Sequence, residues 1–155
     1  MHQEVSIIID FNSLERSASG LITGKICLSF LERSFPEENW FDSVVVVLGW
    51  WLQAAINMLE NPSESQKLRF MEGPFWAAIS STKNSDYWEM SCIDGRKGVH
   101  TDLTVAVDPK AFTERLLDAS EKMLKECHNR KWNDGDVDLL KEVNIRIREK
   151  IRVWS

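Results

Sequence analysis

Three histidines are available for acid–base work in this chain, and one of them, His100, stands two residues from Asp102 in the run VHTDLTVAV. On a strand that spacing puts both side chains on one face, where a carboxylate can orient an imidazole as a general base. Glu89 is the further acid that could complete such a group, so a small hydrolase built on His100, Asp102 and Glu89 is the enzyme the sequence allows. No nucleophile or second base is identifiable beside the pair, which equally reads as two polar residues on a surface strand. His128 follows Cys127 directly, and adjacent helical residues point about 100° apart, so the two neither form a catalytic Cys–His pair nor chelate one metal.

Other chemistry is sparse. The chain carries no glycine-rich phosphate loop, nucleophile elbow or zinc-ligand spacing. Cys27, Cys92 and Cys127 are odd in number and far apart, as expected of reduced core residues. No cofactor or metal is expected. Seven tryptophans could in principle stack on bases or sugars. Packing accounts for most of them, with Trp50, Trp76 or Trp88 as candidates for one or two exposed interface anchors.

The elements that must position these residues follow from periodicity. Alternation in EVSIIIDF and LITGKICLSF puts Val5, Ile7, Ile9 and Phe11, then Ile22, Ile26, Leu28 and Phe30, on one face each, predicting a hairpin. From 40 to 60, Trp40, Val44, Val47, Leu48, Trp51, Ala55 and Met58 recur at helical spacing, while Asp42, Gly49, Gln53 and Glu60 line the other side and Val46 intrudes among them. A long buried helix is predicted despite four consecutive valines, and Pro62 stands just beyond its end. Three or four strands of an antiparallel meander follow, broken at Gly73-Pro74, Lys83-Asn84 and DGRKG. Asp108-Pro109 opens a second helix, and a third spans 136 to 153.

These elements describe one α+β domain over residues 1–155, a largely antiparallel sheet of about five to six strands with one long buried helix and two C-terminal helices packed on it. Hydrophobic content of 43% and the seven tryptophans exclude a disordered chain. No apolar run is long enough to span a bilayer, and the start MHQEVSIIIDFN alternates like a strand, so a cytoplasmic protein without membrane contact is expected. Of the net charge of −5, residues 1–108 hold 8 basic against 15 acidic residues and 109–155 hold 11 against 9. The acidic front disfavours direct nucleic-acid binding and favours basic partners.

The stretches FPEENWFDSVVVVLGWWLQ, FMEGPF and LLDASEKMLKECHNRKW resemble small immunity proteins encoded beside bacterial polymorphic toxins, including those of contact-dependent growth inhibition systems. The resemblance implies a cytoplasmic protein, not an enzyme, that binds and neutralises the C-terminal toxin domain of its cognate effector. Many such toxins are nucleases with basic clefts, which an acidic protein can plug with steered association. A non-catalytic scaffold or regulatory subunit would show the same lack of catalytic motifs. For the contact surface, Glu37, Glu38 and Asp42 lead into the first helix, with Asp42 on its polar stripe, and Asp86 and Glu89 flank Trp88 in DYWEMSCID. Helix starts and hairpin ends favour acids for local reasons. Together, the six residues have the composition of an acidic surface with an aromatic anchor.

Overall fold

The structure, a computed structural model, describes residues 3–82, 86–96 and 98–152. Its elements run β1 (Ser6–Arg16), β2 (Ile22–Ser29), β3 (Ser34–Phe35), β4 (Phe41–Ser43), α1 (Val44–Glu60), β5 (Gln66–Arg69), β6 (Phe75–Ser81), β7 (Trp88–Asp94), β8 (His100–Val107), α2 (Pro109–Asn129) and α3 (Gly135–Ile151). The class is α+β as expected, with one long buried helix and two C-terminal helices, and the strands pair antiparallel. Where one sheet of five or six strands was expected, the strands divide into two four-stranded sheets: β1-β2-β3 with β4 also on β2, and β5-β6-β7-β8. The division follows from α1, since a helix between β4 and β5 is no hairpin link and each meander pairs within itself. A short seam joins the sheets. Gln3 N donates to the Ala106 carbonyl at 2.8 Å, Gln3 Oε1 accepts from Leu31 N at 3.2 Å, and Arg33 pairs with Asp102.

The predicted helix begins later than its periodicity suggests. Phe41–Ser43 pairs with β2 through Lys25↔Phe41 and Thr23↔Ser43, and the Trp40 carbonyl accepts from Ile26 N at 2.8 Å. Strand bonds win there because the edge of β2 offers donors and acceptors that a helical first turn would leave unmet. Trp40 and Asp42 therefore stand outside the helix, which corrects their placement on its two stripes. Burial of α1 also exceeds one stripe. Val45, Leu52, Ala54 and Ile56 are as enclosed as Val44, Val47, Leu48, Trp51, Ala55 and Met58, because β2 and β5 cover one side and α2 and α3 another. A helix apolar nearly all round is a core helix, and burying this set outweighs the few tenths of a kcal/mol each valine costs.

The second helix starts where Asp108-Pro109 predicts, and the third starts at Gly135, one residue before the expected 136, with Asp134 as its cap. The Asp108 and Asp134 carboxylates accept from Ala111 N and Val137 N, each at 3.0 Å. Between the helices, buried Asn144 Nδ2 donates to Ser120 Oγ at 2.7 Å, and that hydroxyl donates to the Leu117 carbonyl. Arg130 ties the end of α2 to β1 by donating to the Phe11 carbonyl at 2.8 Å while its guanidinium lies over Trp132. Position 153, the expected end of the third helix, lies outside the described residues, as does Trp154.

Candidate functional site

The structure separates the residues that acid–base chemistry would need together. In the β7–β8 register Asp94 faces His100 while Glu89 faces Ala106, so Glu89 is about 17 Å along the ladder from His100. A register shift between Cys92 and Ile93 leaves Asp102 unpaired in β8, which breaks the alternation that would put it on the face of His100. His100 is exposed, and Asp102 is engaged by Arg33. Cys127 is buried beside an exposed His128, and all three thiols are free and buried. Burial raises the thiols of Cys92 to about 12 and Cys127 to about 11, and pushes Cys27 up as well. Among the described residues no group of three or more His, Cys, Asp or Glu is placed to hold a metal ion.

The acidic residues fall into two groups at opposite ends of the second sheet. At one end converge the loop 36–40, the turn 71–74 and the hairpin of β7 and β8. Gly95 N donates to the Pro74 carbonyl at 2.8 Å, and the Arg96 guanidinium lies 5.2 Å from the Phe75 ring. Trp40 packs edge-on against Phe75 at 5.1 Å, and Phe35 meets both Phe70 and Phe75. Gly73, at φ 69°, fits this aromatic floor because an added Cβ would come within 3.0 Å of the Phe75 ring.

Asp42 holds the same end together from below. It is 1% exposed, and its carboxylate accepts from Trp40 Nε1 at 3.0 Å, Ser43 N at 2.7 Å, Met71 N at 3.2 Å and Glu72 N at 3.1 Å. Its role is to fix the loop 36–40 to the turn 71–74, so it offers no surface to a partner.

Above this base, Glu37, Glu38 and Glu72 are exposed and make no ion pair within the described residues. Of the nearby cations, Arg96 is engaged by Asp94 at 2.7 Å and Arg33 by Asp102, while Lys25, which lines a small cleft with Glu38 and lies 5.8 Å from the Phe41 ring, makes no ion pair among the described residues. The Asp94 pair raises Arg96, with Glu37 and Asp102 adding to the effect, which puts Glu37 within electrostatic reach of the hairpin. Phe41, Met71 and Val99 are exposed apolar side chains on the same loops and strand ends. The resulting lip is acidic with apolar inlays on a fixed base.

Asp86, Trp88 and Glu89 lie at the other end of β7, about 20 Å away. Asp86 and Glu89 are exposed, but Trp88 is 4% exposed and belongs to the core, which overturns its candidacy as an anchor. Trp76 is half-buried under Lys67, 4.8 Å from its ring, and Trp51 is enclosed with Nε1 donating to the Arg69 carbonyl at 2.8 Å. Trp50, 40% exposed, is the exposed tryptophan among the described residues. Glu72, Met71 and Phe41 are not among the contact residues expected from the sequence. The signal for the first two was the Gly73-Pro74 turn, whose preceding residues must form an exposed tip. Compared with family models, curated proteins and solved structures, the chain matches none.

Proposed function

We propose that this protein is an immunity protein that binds the C-terminal toxin domain of a bacterial contact-dependent effector and blocks it in the cytoplasm. The observation that carries this is the lip: Glu37, Glu38 and Glu72, free of ion pairs within the described residues, on loops anchored by Asp42 and the Phe35–Trp40–Phe70–Phe75 cluster. A carboxylate surface attracts a basic nuclease cleft at long range and raises the association rate. Because the loops are already ordered, binding loses little further conformational entropy. Phe41 and Met71 supply apolar area that becomes buried once the cleft is engaged.

The test is co-expression with the toxin domain from a neighbouring upstream reading frame for a large secreted protein. The wild-type chain is expected to protect cells, and the variant Glu37→Lys/Glu38→Lys/Glu72→Lys to fold normally, associate at least about tenfold more slowly and fail to protect. Wild-type association should also slow as salt rises, since steering is screened over about 10 Å at 0.1 M. Undiminished protection by the triple variant would move the contact surface elsewhere, and the lack of any such reading frame would count against the toxin partner itself.

A further inference from the structure

On the opposite side of α1 from the sheets, a cleft of about 210 Å³ separates α1 from α3, lined by Val46, Gly49, Trp50, Gln53, Asp136 and Leu139 among others. We propose that this face is the two-fold interface of a homodimer, in which each copy lays its α1–α3 surface antiparallel on the other. The surface does not depend on the toxin-binding reading of the lip.

Several independent features meet here. Trp50 and Leu139 are 40% and 54% exposed and line the cleft together with Val46. Gly49 stands in the middle of α1 with helical neighbours, and a Cβ added there would meet nothing within 4 Å. A helix-interior glycine is unfavourable relative to alanine, and nothing within the chain needs the space it leaves. Close approach of another backbone or ring across that position accounts for it.

The charges choose a second copy as the occupant. Gln53 Oε1 accepts from Arg146 at 3.0 Å and Glu60 pairs with Lys150 at 2.8 Å, while Val45 and Val46 lie near Asp136 and Leu139, so α1 and α3 run in the same direction. Along the cleft side of α3, Asp136 marks the N-terminal end and Arg146 the C-terminal end. Neither has an oppositely charged partner within ion-pair distance among the described residues. Arg146 gives Gln53 one bond and keeps further donors. A two-fold axis passing between Leu139 and Val143 sets Asp136 of each copy against Arg146 of the other and brings the two Trp50 rings together. Such an interface is self-complementary, as a two-fold requires. Two 17-residue helices side by side present about 25 by 20 Å, so roughly 1,000 Å² in total is covered, the lower range for a specific complex. The dimer is therefore expected to dissociate on dilution.

Sedimentation velocity from low to several hundred micromolar protein should show a concentration-dependent monomer–dimer equilibrium. A wild-type chain that stays monomeric throughout overturns the proposal. Trp50→Ser/Leu139→Ser is expected to remain monomeric, and Gly49→Leu, whose Cβ meets nothing within 4 Å in the monomer, to weaken association at least about tenfold. The register is tested by charge exchange. Asp136→Arg alone and Arg146→Asp alone should each be monomeric, because each creates two like-charge contacts across the axis. An equimolar mixture of the two should form a heterodimer, since both contacts become opposite in sign. Dimers that persist in the Trp50/Leu139 variant, or a mixture that stays monomeric while the wild type dimerises, would place the interface on another surface or in another register.

Discussion

Glu38 and Asp42 belong to one short segment of loop and strand, yet their carboxylates act in opposite directions. Asp42 points inward and is satisfied by a side-chain donor and three backbone N–H groups, which sew the segment to the turn after β5. Glu38, with Glu37 and Glu72, points outward and has no cation on it within the described residues. On the proposed function the inner carboxylate serves the outer ones, because a charged loop that is already ordered would not have to be ordered by a partner. Sequence adjacency says nothing of this division; burial and donor count decide it.

The largest effect expected lies beneath the lip. Trp51 is fully enclosed, meets Phe70 edge-on at 5.2 Å and donates to the Arg69 carbonyl. Trp51→Ala should cost about 3 to 5 kcal/mol, read from urea unfolding, because it leaves a cavity and an unmatched carbonyl. A loss under about 1 kcal/mol would show that α1 is not the core helix of the fold.

Asp42→Ala comes next, at about 2 to 4 kcal/mol, since it strips the acceptor from four donors of which some regain water at the turn. It should also loosen the loop 36–40 and the turn 71–74, seen as faster amide exchange at Met71 and Glu72 with little change in the three helices. If stability falls but exchange at those amides does not rise, Asp42 serves the core generally and not the lip.

Much of the architecture was legible in the sequence, and the reasons are local. The α1 stripe from Val44 onward, the Asp108 cap and the alternation of β1 and β2 arise from neighbours along the chain, so periodicity and cap chemistry report them directly. What escaped depends on contacts between distant segments. Trp88 carries acidic neighbours and looks like an anchor, but its side of β7 faces the core. Asp42 fits a helical stripe until the edge of β2 claims it. The split into two sheets and the bulge that separates Asp102 from His100 are likewise matters of register, which no single strand encodes.

Alkaline pH should weaken the interior that supports both ends. The Cys92 and Cys127 values of about 12 and about 11 exceed the ordinary 9.0, so the folded chain retains protons that the unfolded chain releases. That contribution is fully present below pH 9 and is lost as pH rises through the folded values, with a slope of at most about 1.4 kcal/mol per pH unit per thiol. Urea unfolding at pH 8 and pH 10, compared with Cys92→Ala/Cys127→Ala, isolates it from lysine and tyrosine titration. An equal pH dependence in both proteins would mean the thiols are not protected by the fold.

The smallest effect is expected at the far end of β7, and it bears most directly on the contrast between the two acidic groups. Asp86 and Glu89 are exposed, stand about 20 Å from the lip and flank a tryptophan that is buried. Asp86→Lys/Glu89→Lys adds the same kind of charge change as reversal at the lip, so it controls for a bulk electrostatic effect. If attraction of a basic toxin depended only on net charge, both variants would lose protection in proportion to the charge reversed. Contact at the lip predicts otherwise: stability within about 0.5 kcal/mol of wild type, a modest slowing of association that disappears in high salt, and full protection. Loss of protection by this variant with retention by the lip variant would reverse the assignment and place the partner against the β6–β7 end of the molecule.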